Sequence, residues 1–231
     1  MLRRADFLLQ EAERVEAIGL TLADGIETKL KIAVDEIFPQ EILYQVLDRV
    51  SEQFPLLRVE LMESVLRGAT ELLEKTDVDI AVSPVVVKDL FNEELCQIDF
   101  IAVANPYHSL HSYDRKLTLE DLKSHRQIVV RDSALSQQKD EGWLEANQRW
   151  TVSHMKTSVD MIKKGFGFAW LPKYLIASEL EEGLLKPLAL DVNGGRKTSL
   201  YLLFGDADAL GPAARCFLGE LRYQCLGLSD A

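Results

Sequence analysis

An α/β fold with a parallel sheet is what this 231-residue sequence predicts, on three observations. Between Leu30 and Val82, period-two apolar stretches alternate with stretches of three-and-four spacing, giving strand, helix, strand, helix, strand. Segments of that length supply the crossover helices that parallel neighbours require. Late in the chain, residues 157–187 read as helix, glycine turn, short strand and a second helix.

The elements follow in order. Residues 2–26 place Ala5, Leu8, Ala12, Val15, Gly19, Leu22 and Ile26 on a 3-4 alternation, the seam of a coiled coil. Small residues weaken that seam, so it reads as a dimerising or connecting helix. Leu30, Ile32 and Val34 form the first strand, broken by the segment from Asp35 to Pro39. Ile42, Leu43, Val46, Leu47 and Val50 mark a helix ending near Phe54-Pro55, and Leu57, Val59 and Leu61 alternate as a second strand. A helix around residues 70–74 and a buried strand over 79–82, stopped by Ser83-Pro84, complete the run.

Residues 85–94 read as irregular, and 96–103 as a strand closed by Asn105-Pro106. A short helix over 117–122 has a Thr118 N-cap and an acidic first turn. The strand over 127–130 exits through Arg131, Asp132 and Ser133. In the late unit, Gly165 suits a left-handed helix C-cap, Gly167 allows close backbone approach, and 168–171 make a buried strand. Pro172 suits the first turn of the next helix, which carries Tyr174, Leu175 and Leu180. A strand over 199–204 and a helix over 213–226 follow.

With 47% apolar and 27% charged residues the chain can build a real core. Its formal net charge of −11 makes these residues a poor partner for a phosphate backbone. Cys96, Cys216 and Cys225 form no C-x-x-C pair and read as buried thiols in a reducing compartment. No apolar run approaches the ~18–20 residues that span a bilayer, and acidic residues interrupt anything like a signal peptide. A cytoplasmic protein without membrane contact is expected.

Several segments also keep the order and spacing of one family. LKIAV, then ILYQVLDRVSEQFPLLRVEL, matches its first strand, helix and second strand, and VDIAV its next strand. FIAVANPYHSL matches a strand and its exit, with Ser109 in place of the usual proline, and LTLEDLKSHRQIVV a short helix and strand. IKKGFGFAWLPKYL, the most specific piece, matches V-A-A-G-x-G-I-A-x-L-P. Over residues 28–226 the chain thereby resembles the effector-binding region of LysR-type transcriptional regulators.

The resemblance implies two Rossmann-like lobes joined by two crossover strands, as in type II periplasmic binding proteins. Residues 28–101 with 206–231 would form lobe I, residues 102–205 lobe II, and residues 1–27 part of a dimerising linker helix. It implies a non-enzymatic sensor whose small-molecule effector, a co-inducer, binds between the lobes without a further cofactor. It also implies a homodimer, a tetramer in the full-length protein, and promoter DNA reached only through a winged helix-turn-helix absent from these residues. The alternative is a periplasmic-type solute-binding protein with no DNA-binding role.

In such proteins ligand sits outside the carboxyl ends of strands. The strand ends nominate Asp35, Glu36 and Ile37; Glu63, Ser64 and Val65; Ser83; Arg131, Asp132 and Ser133; and His154, Met155, Lys156 and Thr157. Asp35 and Glu36 stand where family members often carry Ser, Pro or Thr, and two carboxylates there oppose an anionic ligand. Thr157 and Ser158 could cap the following helix while a ligand carboxylate takes its remaining N–H groups, with Lys156 the nearest cation.

Other patterns fail. Trp170 replaces the third glycine of a G-x-G-x-x-G, and His108 and His111 have no carboxylate or Cys at metal-ligand spacing. No G-x-S-x-G or H-E-x-x-H occurs, and no nucleophile–base set can be assigned.

Overall fold

The computed structural model describes residues 25–191 and 195–227. The helix expected over residues 2–26 lies, up to residue 24, outside the described residues.

The first half builds one α/β unit. Strand β1 (Lys29–Asp35) runs parallel to β2 (Arg58–Ser64) on one side and to β3 (Ile80–Ser83) on the other. Helices α1 (Gln40–Gln53) and α2 (Gly68–Glu74) make the crossovers. The alternation in β1 sorts its side chains by face. Leu30, Ile32 and Val34 join the main core with Leu43, Val46 and Val50 of α1, while Ala33 packs on the other face with Ala69 and Leu73 of α2.

Two long strands then pass through both lobes. β4 (Phe91–Ala104) and β9 (Gly195–Phe204) pair antiparallel, with a register shift between Glu94 and Cys96. β9 meets β3 only through Tyr201–Phe204, and β4 meets β7 (Phe168–Pro172) only through Phe100–Ala104. Between those segments the two strands pair with each other alone, which makes the bridge between two lobes. The segment from Phe91 to Glu94, expected to be irregular, is the start of β4, because β9 supplies its hydrogen bonds.

The second lobe carries α3 (Leu119–Lys123), β5 (Arg126–Val130), β6 (Gln148–Val152), α4 (Met155–Lys163), β7, α5 (Ala177–Glu181) and β8 (Lys186–Pro187). β5 is parallel to β6 and to β7. Helix α6 (Pro212–Leu226) returns to the first lobe and buries Phe217, Leu218 and Leu221 in the core that α1 shares. The strand order is β2-β1-β3-β9-β4-β7-β5-β6, one hydrogen-bonded sheet because β4 and β9 belong to both lobes.

Local chemistry explains several boundaries. Thr118 and Asp121 form a reciprocal capping box that starts α3. Gly165 has φ +79°, and the N–H groups of Gly165 and Phe166 return to the carbonyls of Ile162 and Met161, a Schellman closure of α4. A Cβ on Gly167 would collide with the Arg126 carbonyl oxygen of β5, so only glycine lets these strands approach there. Pro172 does not open a helix. It ends β7 opposite Phe100, and regular helix begins at Ala177 after a 3-10 turn over Tyr174–Ile176. Cys96 and Cys225 are buried free thiols, whereas Cys216 is only half-buried.

Candidate functional site

Parallel strands end on one edge of a sheet, and here the ends of β1, β2 and β3 face the ends of β5 and β6 across the seam between the lobes. The nominated loops therefore do meet, and they are fastened to one another. Ser133 Oγ accepts the Val65 N–H at 2.9 Å, and its own N–H donates to the Val65 carbonyl at 3.2 Å. Asp132 accepts the Arg67 N–H at 3.2 Å and also ties its own loop through Ala134 and Lys139. Glu71 of α2 accepts the N–H groups of Leu135 and Ser136, at 2.6 and 3.3 Å.

Glu36 also reaches across the seam. One carboxylate oxygen lies 2.6 Å from His154 Nδ1 and the other accepts the Met155 N–H at 2.7 Å. Met155 is the first residue of α4, so a side chain of the other lobe occupies that helix N-terminus. Thr157 and Ser158 lie inside the helix rather than at its cap, which begins earlier than the periodicity suggests. Lys156 and Thr157 are exposed. Tyr174 adds a further tie, its hydroxyl donating to the Ile37 carbonyl at 3.1 Å.

Asp35 and Ser83 hold a strained residue. Leu66 sits at φ 52°, a left-handed conformation rare for leucine. Its N–H donates to Asp35 at 2.6 Å, and its carbonyl accepts from the Ser83 hydroxyl at 2.9 Å. Asp35 also accepts the Ile37 N–H at 3.0 Å. Burial pushes the Asp35 carboxyl up to about 7 against those two N–H bonds, and the nearby charges of Glu36 and Asp132 add to the rise. Ser64 is buried opposite Asp35, with a hydroxyl that has no partner among the described residues.

Behind these fastenings lies a cavity of about 310 Å³ with walls from both lobes. Of the nominated residues, Asp35, Ile37, Val65, Arg131 and Met155 line it; Glu36, Glu63, Ser64, Ser83, Asp132, Ser133, His154, Lys156 and Thr157 do not. Its remaining walls come from residues that strand-end reasoning passed over. Trp143 and Trp170 line the cavity with ring centroids 5.4 Å apart and ring planes tilted by 52°. Gln127 of β5 donates to the Trp143 carbonyl at 2.8 Å. Arg196 of β9 lies with its guanidinium carbon 4.8 Å from the centre of the Phe100 ring, and 3.7 Å separates it from Glu141.

Four lining groups have buried polar atoms with no hydrogen-bond partner among the described residues: Gln127 Oε1, Ser158 Oγ, Trp143 Nε1 and Arg196 Nε. Buried polar atoms are rarely left so, and their gathering on one cavity equips it for a polar ligand. Gln127, a polar residue set against the apolar run Ile128–Val130, was a sequence signal that could have pointed to this wall.

Residues 23–226 match the family model described as the LysR substrate binding domain. The chain is 25% identical over 190 residues to the HTH-type transcriptional regulator YeeY of Escherichia coli (strain K12), a match covering 80% of this chain and 62% of that one. It is 26% identical over 195 residues to the probable HTH-type transcriptional regulator YhaJ of the same organism, covering 80% and 64%. The chain thus spans less than two thirds of the length of these curated relatives.

Among solved structures, the regulatory domain of MetR, a LysR family regulator from N. meningitidis, superposes with a TM-score of 0.64 at 14% identity, over 88% of this chain and 96% of that one. Full-length LysG from Corynebacterium glutamicum, with bound effector Arg, gives 0.66 at 18% identity, over 93% and 74%. At these identities the likeness establishes the shared fold.

Proposed function

The chain belongs to the LysR substrate binding domain family, and on that premise we propose that it is the ligand-sensing part of a DNA-binding transcriptional regulator. A small-molecule effector, with no cofactor beside it, enters the cavity between the lobes and changes how subunits are arranged. The observation that carries this reading is the cavity itself, closed over by fastenings between loops of opposite lobes. A ligand shifts such an equilibrium only by binding the open and closed arrangements differently, and groups contributed by both lobes give it that difference. The effector bound to LysG supports a small molecule as the ligand type. We assign DNA contact to a segment outside these residues, as the acidic balance requires, and a cytoplasmic location goes with that role.

The working unit we propose is a homodimer, assembled further into a tetramer in the whole protein. β2 and β6 are the two outer strands of the sheet, and each shows apolar side chains to the outside: Val59 and Leu61 on β2, Trp150 on β6. Beside β2, Tyr44, Leu47, Phe54 and Leu57 line a shallow groove with Val59. An antiparallel pair would cover each β2 edge with the partner's second lobe, an isologous interface. A thermal-shift screen of metabolites tests the sensing role. Stabilisation lost in an Arg196→Gln variant supports it, and stabilisation unchanged by every cavity variant refutes it.

A further inference from the structure

The chemistry of the cavity wall says which kind of effector fits, an inference that rests on the reading above. We propose that the ligand is an aromatic carboxylate carrying a hydroxyl or amino group on its ring. The carboxylate needs a cation or free N–H donors, and Arg131, Lys139, Arg149, Arg196 and the N-terminus of α4 all border the cavity. At the N-terminus of α4, the first N–H is held at 2.7 Å by Glu36, whose second oxygen lies 2.6 Å from His154. An incoming carboxylate would have to displace a charge of its own sign.

Of the basic side chains that line the cavity, Arg196 is the one with a buried donor, Nε, left without a partner among the described residues, and its ion pair to Glu141 is long at 3.7 Å. The Trp143 indole N–H is a second free donor on the same wall. An anion received by Arg196 gains a charge-assisted hydrogen bond to a half-buried guanidinium.

The ring follows from the apolar walls. Trp143, Trp170 and Phe100 give the cavity flat aromatic faces. At about 310 Å³ it has the volume of roughly ten waters, which suits one substituted ring rather than a long chain. The ring substituent follows from the remaining atoms. Gln127 is 3% exposed and Ser158 1%, and their side-chain oxygens lack partners among the described residues. A hydroxyl or amino hydrogen on the ligand would satisfy the Gln127 oxygen, which can only accept.

Titration of the full chain with 4-aminobenzoate and 4-hydroxybenzoate, read by tryptophan fluorescence and calorimetry, tests this. Three probes of similar size each lack one feature: 4-hydroxycyclohexanecarboxylate, aniline and benzoate. The two substituted benzoates should bind saturably, with each control weaker by about tenfold. Arg196→Gln should weaken them by a similar factor and Arg196→Lys by less, while Gln127→Leu should erase the advantage over benzoate. Melting curves of each variant establish that it is folded.

Equal binding of 4-hydroxycyclohexanecarboxylate, indifference to Arg196→Gln in a folded variant, or no saturation below about 10 mM overturns the proposal. A broad metabolite panel, L-arginine included, separates the two levels. If another class of molecule slows hydrogen exchange over residues 127–130, the aromatic-carboxylate assignment fails and the cavity reading stands. If none does, both fail.

Discussion

Glu36 follows directly on the first strand of one lobe and accepts the N–H of Met155, which opens a helix of the other lobe, at 2.7 Å. The contact joins residues 119 positions apart and sits on the seam between the lobes. It gives the helix N-terminus a carboxylate without any ligand, as Glu27 does for α6 through Ala213 and Ala214.

Replacing Glu36 by Gln should therefore loosen closure. The amide retains one acceptor but loses the charge, and half of the contact, His154, is largely exposed. A cost of about 1 kcal/mol is expected, seen as a Tm lower by a few degrees and faster exchange of the Met155 amide. Unchanged exchange at Met155 would mean that Glu36 does not hold the lobes.

Glu71 performs the same service for the loop after β5. Its hydrogen bonds to Lys75, then to Ser136 and Leu135, hold its carboxyl down to about 2. A folded value below the unfolded 4.5 means stability that is full at neutral pH and drains away as pH falls toward about 2. Glu71→Gln should flatten that acid dependence and expose residues 135–141 to limited proteolysis at neutral pH. A variant as protease-resistant as the parent would contradict the fastening.

The strand-to-loop skeleton of this site was readable in advance because its signals are local. Gly165 and the Thr118–Asp121 box announce helix ends within a few residues, and each sits as expected. Strand ends could likewise be found from period-two runs. What those ends do could not, because Ser133 meets Val65 and Glu36 meets His154 only once two lobes are brought together. Arg196 was invisible for the same reason: it reaches the cavity on a bridging strand, far in sequence from Gln127 and Trp143. Pro172 misled because its fixed φ suits a helix start and a strand end alike.

Asp35 makes the pH dependence run the other way. Its folded value of about 7 lies above its unfolded 3.8, so its contribution is full below about pH 4 and is lost as pH rises through about 7. Relative to Asp35→Asn, the parent should lose a few kcal/mol of stability between about pH 5 and about pH 8, measured by urea unfolding. Parallel stability curves for the two proteins would show that Asp35 stays ionised throughout.

The exposed edge of β2 predicts the oligomer. Val59→Glu places a charge where Val59, 37% exposed, lies beside the Tyr44 groove. Light scattering should report a dimer for the parent and a monomer for the variant at equal concentration, with the melting temperature of the lobe itself little changed. A dimer that survives the substitution would move the interface elsewhere.

Hydrogen exchange over residues 127–130 and at Ser158, followed with and without a bound small molecule, is the most direct measurement of whether the cavity is the sensor. Ligand seated between the lobes should slow exchange there and at the Met155 amide together, since closure protects both. Slowing confined to some other surface, with residues 127–130 and 158 unaffected by a ligand that raises the melting temperature, would place the binding site outside the cavity.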